Sequence, residues 1–281
     1  MDDISKIYID GIEKVLQESS NPEDIPKIRT YLKNEARHIY GIPMKKLKSK
    51  IKRYENDFGC LESDTIWEIA SDLMDSHVFE KQITAVTILA AYRYRFDGMF
   101  VTQAISRWTE KGVIRNWAVA DQAALNVVAP IVSGDVTIAG HVIEWAKSPF
   151  YLLRRSSVAV YAEMELQKEH IVRLFSTVRM LLNDTCEYVW RAAGWAIRNV
   201  YNYDKNLFFE FINTECALMP RIMLRNAIEH LEDDKRLSIL ENSRLKRKRR
   251  GKNRGGGYAK GLAKLKINRS PFSILSTLAL P

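Results

Sequence analysis

Cysteine is scarce in this sequence and never paired. Cys60, Cys186 and Cys216 are odd in number and share no Cys-x-x-Cys spacing, which argues against a disulfide framework and against a cysteine-built zinc site. Buried free thiols are expected instead. Histidine is equally thin: His38, His77, His141, His170 and His230 are scattered, with no pair at metal-ligand spacing, so neither a metal nor a cofactor is expected. No apolar run reaches the roughly 18 residues that a membrane span needs, and Met1-Asp2-Asp3 lacks the basic and apolar stretches of a signal peptide. These absences predict a soluble protein, cytoplasmic and nucleoid-associated in a prokaryote or nuclear in a eukaryote.

Acidic residues are missing after Glu241, whereas 12 of the 43 Lys and Arg fall between Arg244 and Arg269. The formal charge of +9 therefore divides into a polycationic tail and a body with 31 basic against 34 acidic residues, a net −3. Such a body cannot coat DNA uniformly. Any phosphate binding must come from basic residues gathered on one face.

Strict apolar–polar alternation is also rare, and apolar residues recur instead at three- and four-residue spacings, which predicts an all-α protein. Ile4–Leu16 is amphipathic and stops at Ser19-Ser20-Asn21-Pro22; a second helix runs about Asp24–Lys33, and a third over Lys45–Tyr54 follows Pro43. Further breaks fall near Asp97-Gly98, Ser133-Gly134, Ser148-Pro149 and Asn183-Asp184.

A repeat is present. The segments opening at Lys81, Arg154 and Trp190 each begin an apolar helix; Gln82 to Arg155 is 73 residues and Arg155 to Arg191 is 36, with Trp117 standing where the intermediate copy belongs. Val101, Val136 and Ile171 head second helices 35 residues apart, with another near Phe208. Helix pairs at this period predict a HEAT-like α-α solenoid with a concave face, although the period also approaches that of tetratricopeptide repeats. The solenoid domain is expected over 1–242. The run Arg244–Arg254 has almost no apolar residues for a core, so 243–281 is expected to be a disordered basic tail.

Trp117 and Asp121 are four residues apart, so a helix places an indole and a carboxylate on one face. In isolation either residue is as readily a packing or solvated position. The surrounding pattern adds more. Tyr31-Leu32-Lys33-Asn34, Ile39-Tyr40-Gly41-Ile42-Pro43 and Met44-Lys45-Lys46 are followed by Glu80-Lys81-Gln82 with Ala85, Asn116-Trp117 with Asp121, Arg155, Gly194-Trp195 with Arg198, and Arg225-Asn226-Ala227-Ile228-Glu229-His230. In this order and spacing, over roughly residues 20–240, the chain resembles the AlkD-type family of alkylpurine DNA glycosylases.

The resemblance implies a DNA glycosylase of base-excision repair that hydrolyses the N-glycosidic bond of cationic purines such as 3-methyladenine or 7-methylguanine without flipping the base. Asp121, Trp117 and Trp195 would form the catalytic centre. Tyr31, Arg155 and Arg198 would contact DNA, as would Lys246, Arg247, Lys248, Arg249 and Arg250 of the tail. The chemistry fits these residue types, because a carboxylate stabilises positive charge on the sugar and orients water, while aromatic faces attract a cationic base. Double-stranded DNA with alkylated bases is the expected partner, water the nucleophile, and the protein is expected to be a monomer. Asn116 and Ala118 depart from relatives that carry a second Trp and an acid there. A non-catalytic protein binding branched or distorted DNA, and a HEAT scaffold for protein partners, remain the rival readings.

Overall fold

The computed structural model describes residues 2–33, 35–36 and 38–262. Asn34 of the N-terminal motif, and everything from 263 onward including the apolar end Ser270–Pro281, lie outside the described residues. Regular structure among the described residues is helical throughout, and their one β interaction is an isolated parallel bridge from His38 to Val78.

Three helices open the chain: α1 (Asp3–Ser19), α2 (Ile25–Tyr31) and α3 (Met44–Phe58). They are followed by α4 (Ser63–Asp75), α5 (Phe79–Tyr92), α6 (Gly98–Glu110), α7 (Trp117–Ala123) and α8 (Ala129–Gly134). Next come α9 (Val136–Glu144), α10 (Tyr151–Ala159), α11 (Lys168–Leu181) and α12 (Glu187–Tyr203), and then α13 (Lys205–Glu215), α14 (Arg221–Ala227) and α15 (Asp233–Leu262). The first helices of the repeat pack side by side, α5 on α7, α7 on α10, α10 on α12 and α12 on α14. Second helices α6, α9, α11 and α13 form the other layer, which gives the α-α solenoid that the 35-residue spacing predicts.

Local chemistry explains the breaks. Asp97, Asn116, Asp135 and Asp204 stand before α6, α7, α9 and α13, and each side chain accepts a hydrogen bond from a backbone N–H of the first turn. Between α7 and α8 the helix widens to a π turn over Ala124–Val128, where the Ala129 N–H reaches Ala124 O five residues back. Pro130 follows directly and has no N–H to continue the ordinary ladder. A fully buried carboxylate shapes the loop after α2: Glu80 accepts from the N–H groups of Tyr40 (3.0 Å), Gly41 (2.9 Å) and Ile42 (3.2 Å). Gly41 has φ +82°, and a Cβ there would lie 2.3 Å from Asn21 O, so the Gly-Ile signature serves loop geometry.

One expectation needs correction. Of the three thiols only Cys216 is buried; Cys60 is exposed and Cys186 half-buried. The expected boundary at 242/243 falls within α15, which runs on to Leu262. Ser243 is buried and donates its hydroxyl to Cys216 O (2.6 Å), Lys246 Nζ donates to Asn213 O (2.6 Å), and Arg247 donates to Ala217 O (3.0 Å) and Met219 O. These carbonyls belong to the C-terminal end of α13 and the turn after it, where intrahelical donors run out. Basic side chains that composition assigns to solvent are recruited to satisfy them.

Close approach of α12 and α14 fixes the far end of the layer. Gly194 is its contact point, since a Cβ there would fall 2.5 Å from Met223 O and 2.6 Å from Asn226 Cβ. Helix propensity alone favours Gly194→Ala by up to about 1 kcal/mol, but the clash involves backbone that cannot step aside, and overpacking of this kind costs about 1–3 kcal/mol. Chemical denaturation of Gly194→Ala should therefore show a net loss of stability; a gain would place the α12–α14 contact elsewhere.

Candidate active site

Asn116 caps α7 through its side-chain oxygen, which accepts from Val119 N–H at 2.9 Å, and so puts Trp117 at the first helical position. One turn later Asp121 lies on the same face, only 5% exposed. A carboxylate this deep needs a partner, and α10 supplies it. Arg155, 6% exposed, grips Asp121 bidentately, Nε to Oδ1 at 2.7 Å and a terminal nitrogen to Oδ2 at 2.6 Å. Its remaining terminal nitrogen donates to Tyr188 O on α12 at 2.5 Å. One guanidinium thus ties together α7, α10 and α12, three first helices of the repeat.

Aromatic rings close around this pair. The Arg155 guanidinium carbon stands 5.6 Å from the centre of the Trp117 ring, within cation–π range. Tyr31, at the end of α2 and 62% exposed, meets Trp117 edge-on at 5.0 Å and 61°. Burial pushes the Tyr31 phenol pKa up; the nearby Asp121 charge adds to that, and Arg155 opposes it. Burial likewise raises the Asp121 carboxyl above the ordinary range while the Arg155 hydrogen bonds and charge pull it back. The indole N–H of Trp117 is buried and has no protein partner among the described residues.

The structure therefore brings Tyr31, Trp117, Asp121 and Arg155 into direct contact. Trp195 and Arg198 sit on the adjoining α12. Trp195 is half-buried against the core, and Arg198 ion-pairs with Glu229 with its side chain 35% exposed. Arg154 faces away from the site and latches Asp184 (2.6 Å) together with Ser148 O and Pro149 O. In the basic run, Lys246 and Arg247 are engaged with carbonyls as described, whereas Arg244, Lys248, Arg249 and Arg250 are exposed.

Sequence reasoning gave no role to four neighbours of the site, Glu35, Lys33, Tyr151 and Tyr188. Glu35 accepts the Trp117 backbone N–H at 3.4 Å, and after burial its charge helps raise the Tyr188 phenol pKa. The Lys33 ammonium lies 4.6 Å over the Tyr188 ring, and Tyr151 packs 5.7 Å from the same ring. Glu35 and Lys33 come from a loop with no periodic pattern, and only their place beside Tyr31 signalled them. Tyr188 is found only once Arg155 is seen to bond its carbonyl.

The buried pair makes a stability prediction. Arg155→Met strands an ionised carboxylate in the interior and should cost about 3–5 kcal/mol, while adding Asp121→Asn should recover a large part of that loss. Urea unfolding of the single and double variants measures both; additive losses would mean that the two groups are not coupled.

A sequence model of the family described as DNA alkylation repair enzyme matches residues 12–231. A predicted DNA alkylation repair enzyme from Enterococcus faecalis has a similar solved structure, with TM-score 0.65 at 14% identity over 76% of this chain and 98% of that one. At that identity the likeness speaks for the fold. No curated protein matches the chain. With the family pattern running from α1 to the residues just before α15, this chain belongs to the DNA alkylation repair enzyme family.

Proposed function

We propose that the protein is a DNA glycosylase that hydrolyses the N-glycosidic bond of cationic alkylated purines, 3-methyladenine or 7-methylguanine, leaving an abasic site. The observation that carries this reading is the Tyr31–Trp117–Asp121–Arg155 cluster, two aromatic rings beside a carboxylate that a guanidinium locks in position. Glycosidic cleavage places positive charge on the sugar, and the departing base is already cationic, so π faces and a carboxylate favour the transition state more than the intact normal nucleotide. A preset carboxylate needs no reorganisation to orient water. The reaction requires no cofactor, and the lesion is approached on the duplex without base flipping by a monomer acting in the nucleoid or nucleus.

Affinity would come from phosphate contacts, which position a protein on DNA without reading sequence. Arg198, half-exposed beside Glu229, and the exposed Arg244, Lys248, Arg249 and Arg250 are the groups that would make them, whereas Arg155 is occupied by Asp121 and would act by holding the site. Trp195 would complete the aromatic lining from α12.

One observation favours a second reading, a non-catalytic protein that binds branched or distorted DNA: both Asp121 oxygens are already taken by Arg155. Base release from methylated duplex DNA separates the two. The glycosylase reading predicts free 3-methyladenine or 7-methylguanine from the intact protein and a loss of about a hundredfold or more in Asp121→Asn, with DNA binding retained. No release, together with selective binding of junction DNA, would give the second reading the site.

The basic helix makes its own prediction. A chain ending at Arg247 keeps the interactions that dock α15 but loses the exposed Lys248, Arg249 and Arg250 and the cations that follow them in sequence, so its affinity for duplex DNA should fall. The slope of log K against log salt should flatten by about 0.9 for each phosphate that those cations neutralise. An unchanged slope would remove this segment from the DNA interface.

A further inference from the structure

Asp121 and Arg155 compensate each other, so the pair presents a dipole and no net charge to whatever occupies the cleft. A second carboxylate, Glu35, stands beside this pair at the start of α7. Among the described residues no Lys, Arg or His nitrogen lies within 4.0 Å of its oxygens. Its hydrogen bond is to an uncharged donor, the Trp117 backbone N–H at 3.4 Å, and after burial its charge raises the pKa of the neighbouring Tyr188 phenol. That hydrogen bond holds it at the start of α7, one helical turn, about 6 Å along the axis, from Asp121.

Glu35 also borders space that Asp121 lacks. A cavity of about 180 Å³ opens beside it, lined by His38, His77, Arg115 and Asn116 among others. A polar cavity of that size accommodates several waters. Asp121, 5% exposed with both oxygens bonded to Arg155, has little capacity to take a proton from one.

Resting on the glycosylase reading, we propose that Glu35 is a second carboxylate of the reaction centre. In this division Arg155 holds Asp121 as a fixed dipole beside the sugar, and Glu35 supplies the net negative charge that selects a cationic base and receives the proton of the attacking water. The water oxygen bonds to C1′ as the C1′–N bond breaks. The bonding pair leaves with the purine, cancelling its positive charge, and the water proton passes to Glu35 and on to solvent. No oxidant, reductant or further reactant is needed.

Glu35→Gln tests this without dismantling the site, because the amide oxygen still accepts from the Trp117 backbone N–H while the charge is gone. Single-turnover release of 7-methylguanine from methylated duplex DNA should slow at least about tenfold, and Glu35→Asp should retain more of the rate than Glu35→Gln. The second readout is binding alone. Duplexes with one cationic 7-methylguanine, or with the uncharged 7-deaza analogue bearing the same methyl group, are compared on the intact protein and Glu35→Gln. The intact protein should prefer the cationic lesion several-fold, and the variant should lose that preference while binding unmodified duplex equally well. Unchanged release in Glu35→Gln, or an unchanged preference for the cationic lesion, would overturn the assignment. If the intact protein releases no base, the glycosylase reading fails by itself, and the binding comparison still decides whether Glu35 senses the lesion's charge.

Discussion

A buried ion pair holds the candidate site together. Asp121 and Arg155 are nearly inaccessible, joined by two short hydrogen bonds, and carried by different repeats. Such a pair adds little net stability over a well-packed apolar alternative, yet breaking it is expensive. That asymmetry suits a positioning device: the arrangement has few ways to relax. Because the third Arg155 nitrogen bonds Tyr188 O, the pair sets the spacing of α7, α10 and α12 as well as the orientation of Trp117 and Tyr31 above it. The solenoid provides what such a device needs, successive parallel first helices whose corresponding residues fall along one layer.

The fold was legible because it is periodic. Helices α1 and α3 end within a few residues of where apolar spacing and the Asn21-Pro22 and Pro43 signals put them, and Val101, Val136, Ile171 and Phe208 lie in the opening turns of four second helices. The relation of Trp117 to Asp121 was legible for the same reason, being one helical turn. What Arg155 does was not. An arginine in a repeat protein suits a phosphate or a carboxylate equally, and its partner lies 34 residues away. Glu35 was less visible still, since it reaches Trp117 from 82 residues away out of an irregular loop.

The C-terminal helix shows where composition misleads. A run rich in Lys and Arg reads as solvated, and most of Arg244–Arg250 is exposed, yet Ser243, Lys246 and Arg247 dock on the end of α13. Carbonyls left without donors there are the unseen half of the interaction. The same helix therefore has two faces, one closing the solenoid and one presenting charge beyond the region that carries the family pattern. Burial and hydrogen bonding thus divide the basic residues of this helix into those that build the protein and those left exposed to solvent.

The structure of the protein bound to a duplex carrying a hydrolysis-resistant 7-methylguanine nucleotide would test the central claim most directly. The account predicts the lesion's sugar in contact, within about 4.5 Å, with the Trp117 ring and facing Asp121, the base still stacked in the duplex. A duplex seated instead on α6, α9 and α11, with the Tyr31–Trp117–Asp121–Arg155 cluster untouched, would contradict it.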